Sequence, residues 1–205
     1  METKMTGEVY YPSEEVIQKA HIKDWEQLNK EASEDNLAFW EKMADELHWF
    51  QKWDKVLDDS NKPFYKWFVG AKTNIAYNCL DVHVKGYRRN KLALTWEGED
   101  GEFRAFSYYA LHRETCKFAN VLKSMGVQKG DRVTIYMGRI PEIVVAMLAC
   151  ARVGAIHSVV YGGFSVEALH ERIEDSQSKV LIVSDGAYQR GKIVPLKQIA
   201  DEALQ

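Results

Sequence analysis

RVTIYMGRIPEIVVAMLACARVGAIHSVVYGGFSVEALHERIEDSQSKVLIVS, residues Arg132 to Ser184, alternates short apolar runs with helical stretches. Arg132 to Met137, His157 to Tyr161 and Lys179 to Ser184 are nearly continuous in apolar residues, the pattern of strands covered on both faces. Pro141 opens a helix to about Val153 with Gly154 behind it, and Ser165 opens another to about Ser176. Strand–helix alternation of this kind predicts a parallel α/β sheet with right-handed crossovers.

Outward from this stretch the pattern continues. Leu196 begins a further helix. Lys91 to Glu97 and Phe103 to Tyr108 flank the turn Gly98-Glu99-Asp100-Gly101 and read as a β-hairpin. Tyr109 to Met125 places Leu111, Thr115, Phe118, Ala119, Leu122 and Met125 on one helical face, and Gly126 ends it. The first 60 residues differ: they are rich in Trp, Glu and Lys, and show helix starts but no strand signal. Trp40, Met43, Leu47 and Phe50 share one helical face behind a cap at Asp35 or Asn36. Ser13 with Glu14 and Glu15 marks another start, and Trp25 with Leu28 a short amphipathic helix. The expected organisation is a helical arm over 1–60, then 61–205 as the first part of a large α/β domain with a parallel or mixed sheet. The sequence ends at Ala203-Leu204-Gln205 inside a helical pattern, and three parallel strands make a poor stopping point, so truncation is expected.

Composition narrows the function classes. The chain has 205 residues, 46% of them hydrophobic and 28% charged, ordinary values for a globular protein. Six Trp and ten Tyr predict a large apolar surface through which the chain would self-associate. A net charge of −3 with no basic stripe argues against nucleic acid; Arg88-Arg89 with Lys91 reads as a solvated turn. Cys79, Cys116 and Cys150 are odd in number, far apart and set in apolar patterns, which fits reduced, buried thiols. Met1-Glu2-Thr3-Lys4-Met5 is no signal peptide, and the apolar run Ile143 to Ala151 is too short to span a bilayer. A soluble, cytoplasmic protein without membrane partners is expected.

Two segments could carry chemistry. Tyr161-Gly162-Gly163-Phe164-Ser165 joins a strand to a helix, the place where open α/β sheets bind ligands. Its glycines would let backbone approach a ligand, and the following helix start would offer N–H groups to an anion. Phe164 and Leu169 could form a hydrophobic staple beside the Ser165 cap. The competing reading is a tight turn with an ordinary cap, where Glu167 already brings negative charge. Gln189-Arg190-Gly191-Lys192 follows the third strand through Asp185-Gly186-Ala187-Tyr188, and two cations around a glycine suit a phosphate; a solvated loop is the competing reading.

Other motifs fail. Gly70-Ala71-Lys72-Thr73 lacks the glycines of a phosphate loop, and His170-Glu171 lacks the second histidine of a zinc helix. His157 in its apolar strand reads as a satisfied core histidine, and Cys116 and Cys150 lie on packing helices. Neither catalytic residues nor metal ligands are expected within the chain.

Taken together, the segments resemble the AMP-forming acetyl-CoA synthetase family of the adenylate-forming superfamily. Lys66-Trp67-Phe68 with Asn74-Ile75-Ala76-Tyr77-Asn78-Cys79-Leu80-Asp81 is similar to that family's K-W-F…N-x-x-Y-N-C-x-D stretch. Gly126-Val127-Gln128-Lys129-Gly130-Asp131-Arg132-Val133 is similar to its G-V-x-K-G-D-R-V segment, and Met147 to Ser165 to its longest block here. The resemblance implies a ligase that turns a carboxylate and ATP into an acyl-adenylate, with magnesium assisting, and then transfers the acyl group to CoA. It also implies that the phosphate loop, acyl pocket and catalytic lysine lie outside these residues, so the chain alone would be inactive. Tyr161, Gly162 and Gly163 would lie in the CoA-contacting turn, and Gln189, Arg190, Gly191 and Lys192 in the CoA-phosphate loop. The family usually has Arg where this chain has Gln189, which shifts the charge to Arg190. Alternatives are a propionyl- or medium-chain acyl-CoA synthetase, or a stand-alone non-catalytic module of the same fold.

Overall fold

The computed structural model describes residues 11–205. Met1 to Met5, read above as lacking a signal peptide, lie outside the described residues. The chain divides into two compact units, Met1–Leu47 with Lys55–Val69, and His48–Asp54 with Gly70–Gln205.

The first unit holds α1 (Glu14–Lys19), α2 (Trp25–Glu34), α3 (Asn36–Ala44), β1 (Lys55–Asp58) and β2 (Lys66–Val69). The helices begin where a side-chain oxygen can take an orphan N–H: Ser13 accepts from Val16, Asp24 from Gln27 and Asp35 from Ala38. Two expectations are corrected here. The face of Trp40, Met43, Leu47 and Phe50 does not run through one helix, because α3 ends at Ala44. The Phe50 N–H instead donates to the Lys72 carbonyl at 2.7 Å, within the second unit. Nor are the first 60 residues free of strand: β1 pairs antiparallel with β2, Leu57 opposite Trp67. Four residues whose partner comes eight positions later give no periodic signal.

The second unit opens with a π-helical turn, Tyr77–Asp81, leading into α4 (Val82–Val84), then the antiparallel hairpin of β3 (Leu92–Glu97) and β4 (Phe103–Ser107). The strand–helix alternation follows as expected: α5 (Tyr108–Ser124), β5 (Arg132–Met137), α6 (Pro141–Val153), β6 (Ile156–Tyr161), α7 (Val166–Ser176) and β7 (Val180–Val183). The three strands are parallel in the order β6-β5-β7. The Gln189–Lys192 stretch corrects the expected loop, because it closes a small antiparallel hairpin of β8 (Ala187–Gln189) and β9 (Lys192–Val194). α8 (Leu196–Ala203) ends the alternation.

Period-2 alternation along β5 builds two cores. Val133 and Ile135 point to one face, where they join Ala119, Leu122, Ala146, Ala149 and Cys150 of α5 and α6. Tyr136 points to the other, joining Val160, Leu169, Leu196 and Ala200 of β6, α7 and α8. Each fully buried aliphatic side chain here contributes about 1.5–3 kcal/mol.

The Asn74–Asp81 motif acts as a clasp within this unit. The Asn74 amide donates to the Ala151 carbonyl at 2.8 Å, near the end of α6. Asn78 exchanges hydrogen bonds with the backbone of His48. Asp81 accepts from both Arg152 amino groups and lies 3.2 Å from His112. Burial pushes the Asp81 carboxyl up, but Arg152 and His112 outweigh it and hold the group below the ordinary range.

The three cysteines are free, and their environments differ. Cys150 is buried, and burial pushes its thiol up to about 11. Cys116 is half-buried, whereas Cys79 is exposed rather than buried as expected. The π-helical turn hides its neighbour Leu80 and leaves Cys79 outward. Among the described residues no helix is long and apolar enough to cross a membrane.

Candidate functional site

β5 and β6 end side by side at Met137 and Tyr161, and the chain beyond each end turns away from the sheet. A cavity of about 230 Å³ lies there, bounded by Met137, Gly138, Arg139, Tyr161 and Gly162, by Tyr188, Gln189 and Arg190 of the small hairpin, and by Glu99. This is the crevice outside the carboxyl ends of parallel strands where open α/β sheets bind ligands.

The two segments singled out by sequence meet in this crevice. The Gln189 side-chain amide donates to the Tyr161 hydroxyl at 2.6 Å. Gly162 and Arg190 line the same cavity. Gly163, Gly191 and Lys192 are not among its lining residues, although the Gly191 N–H donates to Glu99, which is. The Arg190 guanidinium and the Lys192 ammonium make no ion pair among the described residues. Both are exposed.

Gly163 works differently from the expected close backbone approach. A Cβ on it would lie 2.5 Å from a ring carbon of Tyr161, so its missing side chain makes room for that ring. Gly162 would accept a Cβ at ordinary contact distance. Gly138 is also tight, since its Cβ would come within 2.7 Å of the Ala187 Cβ, so small residues let β8 lie against the end of β5.

The helix start behind the turn is already occupied. Ser165 accepts from the Ala168 N–H at 3.3 Å. The Glu167 carboxyl is held below its usual range by its own backbone N–H and by Ser165. These contacts favour the ordinary-cap reading for α7. Phe164 turns edge-on to Tyr161, centroids 5.8 Å apart, with the Arg172 guanidinium 4.4 Å from its ring.

Two residues of the site escape the sequence reading. Tyr136 is fully buried, and its hydroxyl donates toward the Gly162 carbonyl at 3.4 Å and the Phe164 carbonyl at 3.1 Å, fixing the turn from below. A lone Tyr in an aliphatic strand was the available hint, since a buried hydroxyl needs a partner. Glu99 reaches the crevice from the β3–β4 turn and accepts from the Arg190 and Gly191 N–H groups, each at 3.1 Å.

The discarded motifs sit elsewhere. Lys72 pairs with Gln51 in a β-bridge, and His170 contacts the Ala203 carbonyl at 2.8 Å, at the end of α8. His157 is only half-buried and makes no side-chain hydrogen bond among the described residues, because β6 is an edge strand. That corrects its reading as a satisfied core histidine. A larger cavity of about 610 Å³ between α5, α6 and the sheet is lined by Phe106, Tyr109, Phe118, Val121, Val145 and Ile182 among others, and none of the candidate residues reaches it. No group of three or more metal-ligating side chains gathers among the described residues.

The profile of the family described as "AMP-binding enzyme" matches residues 80–204. The chain belongs to the AMP-binding enzyme family. A second profile, "Acetyl-coenzyme A synthetase N-terminus", matches residues 25–79. The acetyl-coenzyme A synthetase of Chlorobaculum tepidum is 50% identical over 196 residues, 94% of this chain and 30% of that protein. That of Campylobacter jejuni is 50% identical over 201 residues, 96% of this chain and 30% of that protein. That of Pyrobaculum arsenaticum is 50% identical over 186 residues, 87% of this chain and 28% of that protein. The chain therefore spans about 30% of the length of the curated relatives it matches. As an AMP-binding family member it carries the mixed α/β architecture with a parallel sheet, as expected.

Proposed function

We propose that this chain forms the CoA-recognising part of an acyl-CoA synthetase acting on acetate. In the first half-reaction a carboxylate oxygen attacks the α-phosphorus of ATP, giving an acyl-adenylate and expelling pyrophosphate. In the second, the CoA sulfur attacks the acyl carbon, loses its proton and releases AMP. Magnesium would neutralise the phosphates in the first step. The groups that transfer the adenylyl and acyl moieties are proposed to lie outside these 205 residues, so the chain alone would carry out neither step.

The observation that carries this reading is the Gln189–Tyr161 hydrogen bond, which joins the two segments at one crevice beside two cations without carboxylate partners. Tyr161, Gly162 and Gly163 would border the CoA, while Arg190 grips a phosphate with its planar fork and Lys192 adds a point charge. The names of the relatives favour acetate over longer acids. A cytoplasmic setting belongs to the same reading and is supported by the three free cysteines. The open edges of β6 and β7, with Ile156 and Val159 exposed on β6, support pairing with a second copy when the chain is made alone.

Steady-state kinetics of the intact protein tests the site. Losing a charge-assisted contact costs roughly 1.5–3 kcal/mol, so Arg190→Ala should raise the CoA Michaelis constant about ten- to a hundredfold. The constants for ATP and acetate should hold. An unchanged CoA constant removes Arg190 from the site and leaves the solvated-turn reading.

A further inference from the structure

Glu99 reaches its partners from 91 and 92 residues away in sequence. Arg190 and Gly191 are the loop of a hairpin closed by the Gln189–Lys192 pair, with φ of +53° and +73°. In a two-residue turn of this hand both loop N–H groups point away from the ladder and are open to a partner from elsewhere. Glu99 supplies one oxygen to each. Paired backbone donors of this kind otherwise take an anionic oxygen from a ligand. The β3–β4 hairpin is also tied down nearby, because the Trp96 indole N–H donates to the Arg139 carbonyl. Glu99 is therefore aimed at the turn by its own hairpin.

We infer that Glu99 is a placeholder anion, competing with the phosphate-bearing ligand for the Arg190 and Gly191 backbone N–H groups. The inference rests on the proposed reading of this crevice as a CoA-phosphate site. A phosphate oxygen bound to the same pair of donors would touch the carboxylate, and like charges at contact distance repel. The two anions therefore alternate, and binding needs the carboxylate to withdraw. While Glu99 is in place it satisfies the turn and holds the empty site in shape. Affinity for the ligand is lowered by the fraction of molecules so closed.

Glu99→Gln and Glu99→Ala in the intact protein, titrated calorimetrically with CoA, test this. Both should tighten CoA binding roughly three- to tenfold, by removal of the competing charge. Pantetheine, which shares the thiol arm and lacks phosphates, should bind all variants alike. Thermal melts check that the exposed turn has not unfolded. Unchanged or weaker CoA binding in both Glu99 variants overturns the placeholder, as does an equal shift with pantetheine, which would mean shape rather than charge. Arg190→Ala run alongside separates the two failures. If it weakens CoA while the Glu99 variants do not tighten it, the site stands and the placeholder falls. If neither position moves CoA binding, both fall. If only the Glu99 variants respond, the backbone donors alone take the phosphate and Arg190 drops out.

Discussion

Two turns face one crevice, and they are held in opposite ways. The Tyr161–Ser165 turn rests on Tyr136, a fully buried side chain rooted in the central strand, whose hydroxyl reaches the carbonyls of Gly162 and Phe164. The Arg190–Gly191 turn is held from the side by an exposed carboxylate on a different hairpin. The first anchor is part of the core, so the turn moves only if the sheet moves. The second is a solvent-facing contact that water or a ligand can replace at small cost. A site built this way has one fixed wall and one adjustable wall.

Removing the fixed anchor should have the largest effect on stability. Tyr136→Ala deletes a fully buried aromatic ring packed among Val160, Leu169 and Leu196, and should cost about 3–5 kcal/mol by urea denaturation. Tyr136→Phe keeps the packing and removes only the hydroxyl, for roughly 1 kcal/mol. If the phenol fixes the turn, Tyr136→Phe should also weaken CoA binding, although the hydroxyl lies beneath the cavity floor. A Phe variant with unaltered CoA binding would make the two turns equivalent and dissolve the contrast.

Gly163 tests the same wall from above. In Gly163→Ala the new Cβ, 2.5 Å from the Tyr161 ring, must push aside a half-exposed side chain held at its hydroxyl by Gln189. Stability should change by under about 1 kcal/mol. The displaced ring loses its hydrogen bond with Gln189, so CoA affinity should fall several-fold without a matching loss of stability. Chemical denaturation and CoA titration of the same sample give both numbers.

The fixed wall was far more legible in the sequence than the adjustable one. β5, α6, β6 and α7 follow from continuous apolar runs and from local stop and start signals: Pro141, Gly154 at φ +80° and Ser165 all act within a few residues of themselves. The Ser165 cap and the Gln189–Lys192 region could be marked for the same reason. Glu99 could not, because a polar turn of Gly-Glu-Asp-Gly gives no sign of which distant N–H groups it will meet. The β8–β9 hairpin stayed hidden because each strand has three residues, and an Arg-Gly pair is not the usual sign of this turn. β1 was missed through the same shortness, with its partner β2 supplying the pairing. Tyr136 was visible as a residue, but its role depends on where the chain after β6 passes. Local chemistry can be read from sequence, whereas contacts across the fold cannot.

Arg190 gives the smallest and most discriminating test of the adjustable wall. Its φ of +53° lies in the left-handed region, where a side chain with a Cβ costs about 1–2 kcal/mol relative to Gly. The chain holds that strain beside a crevice, at a residue whose guanidinium has no ion-pair partner among the described residues. Strain kept at such a position is expected where the side chain serves a ligand. Arg190→Gly should relieve the backbone, but glycine also gains freedom in the unfolded chain, so the net stabilisation should be only about 0.5–1 kcal/mol. Arg190→Asn tolerates the same φ with less unfolded freedom, and should stabilise to a similar degree. Both keep the N–H that Glu99 holds, and both lose the cation. Stability should rise while CoA binding falls, in opposite directions within one variant. A solvated turn with no ligand predicts the gain in stability without the loss of binding, so measuring melting temperature and CoA affinity on the same protein separates the two. If CoA affinity is kept in both variants, the turn's side chain has no part in the site, and the strain at Arg190 is left without a function.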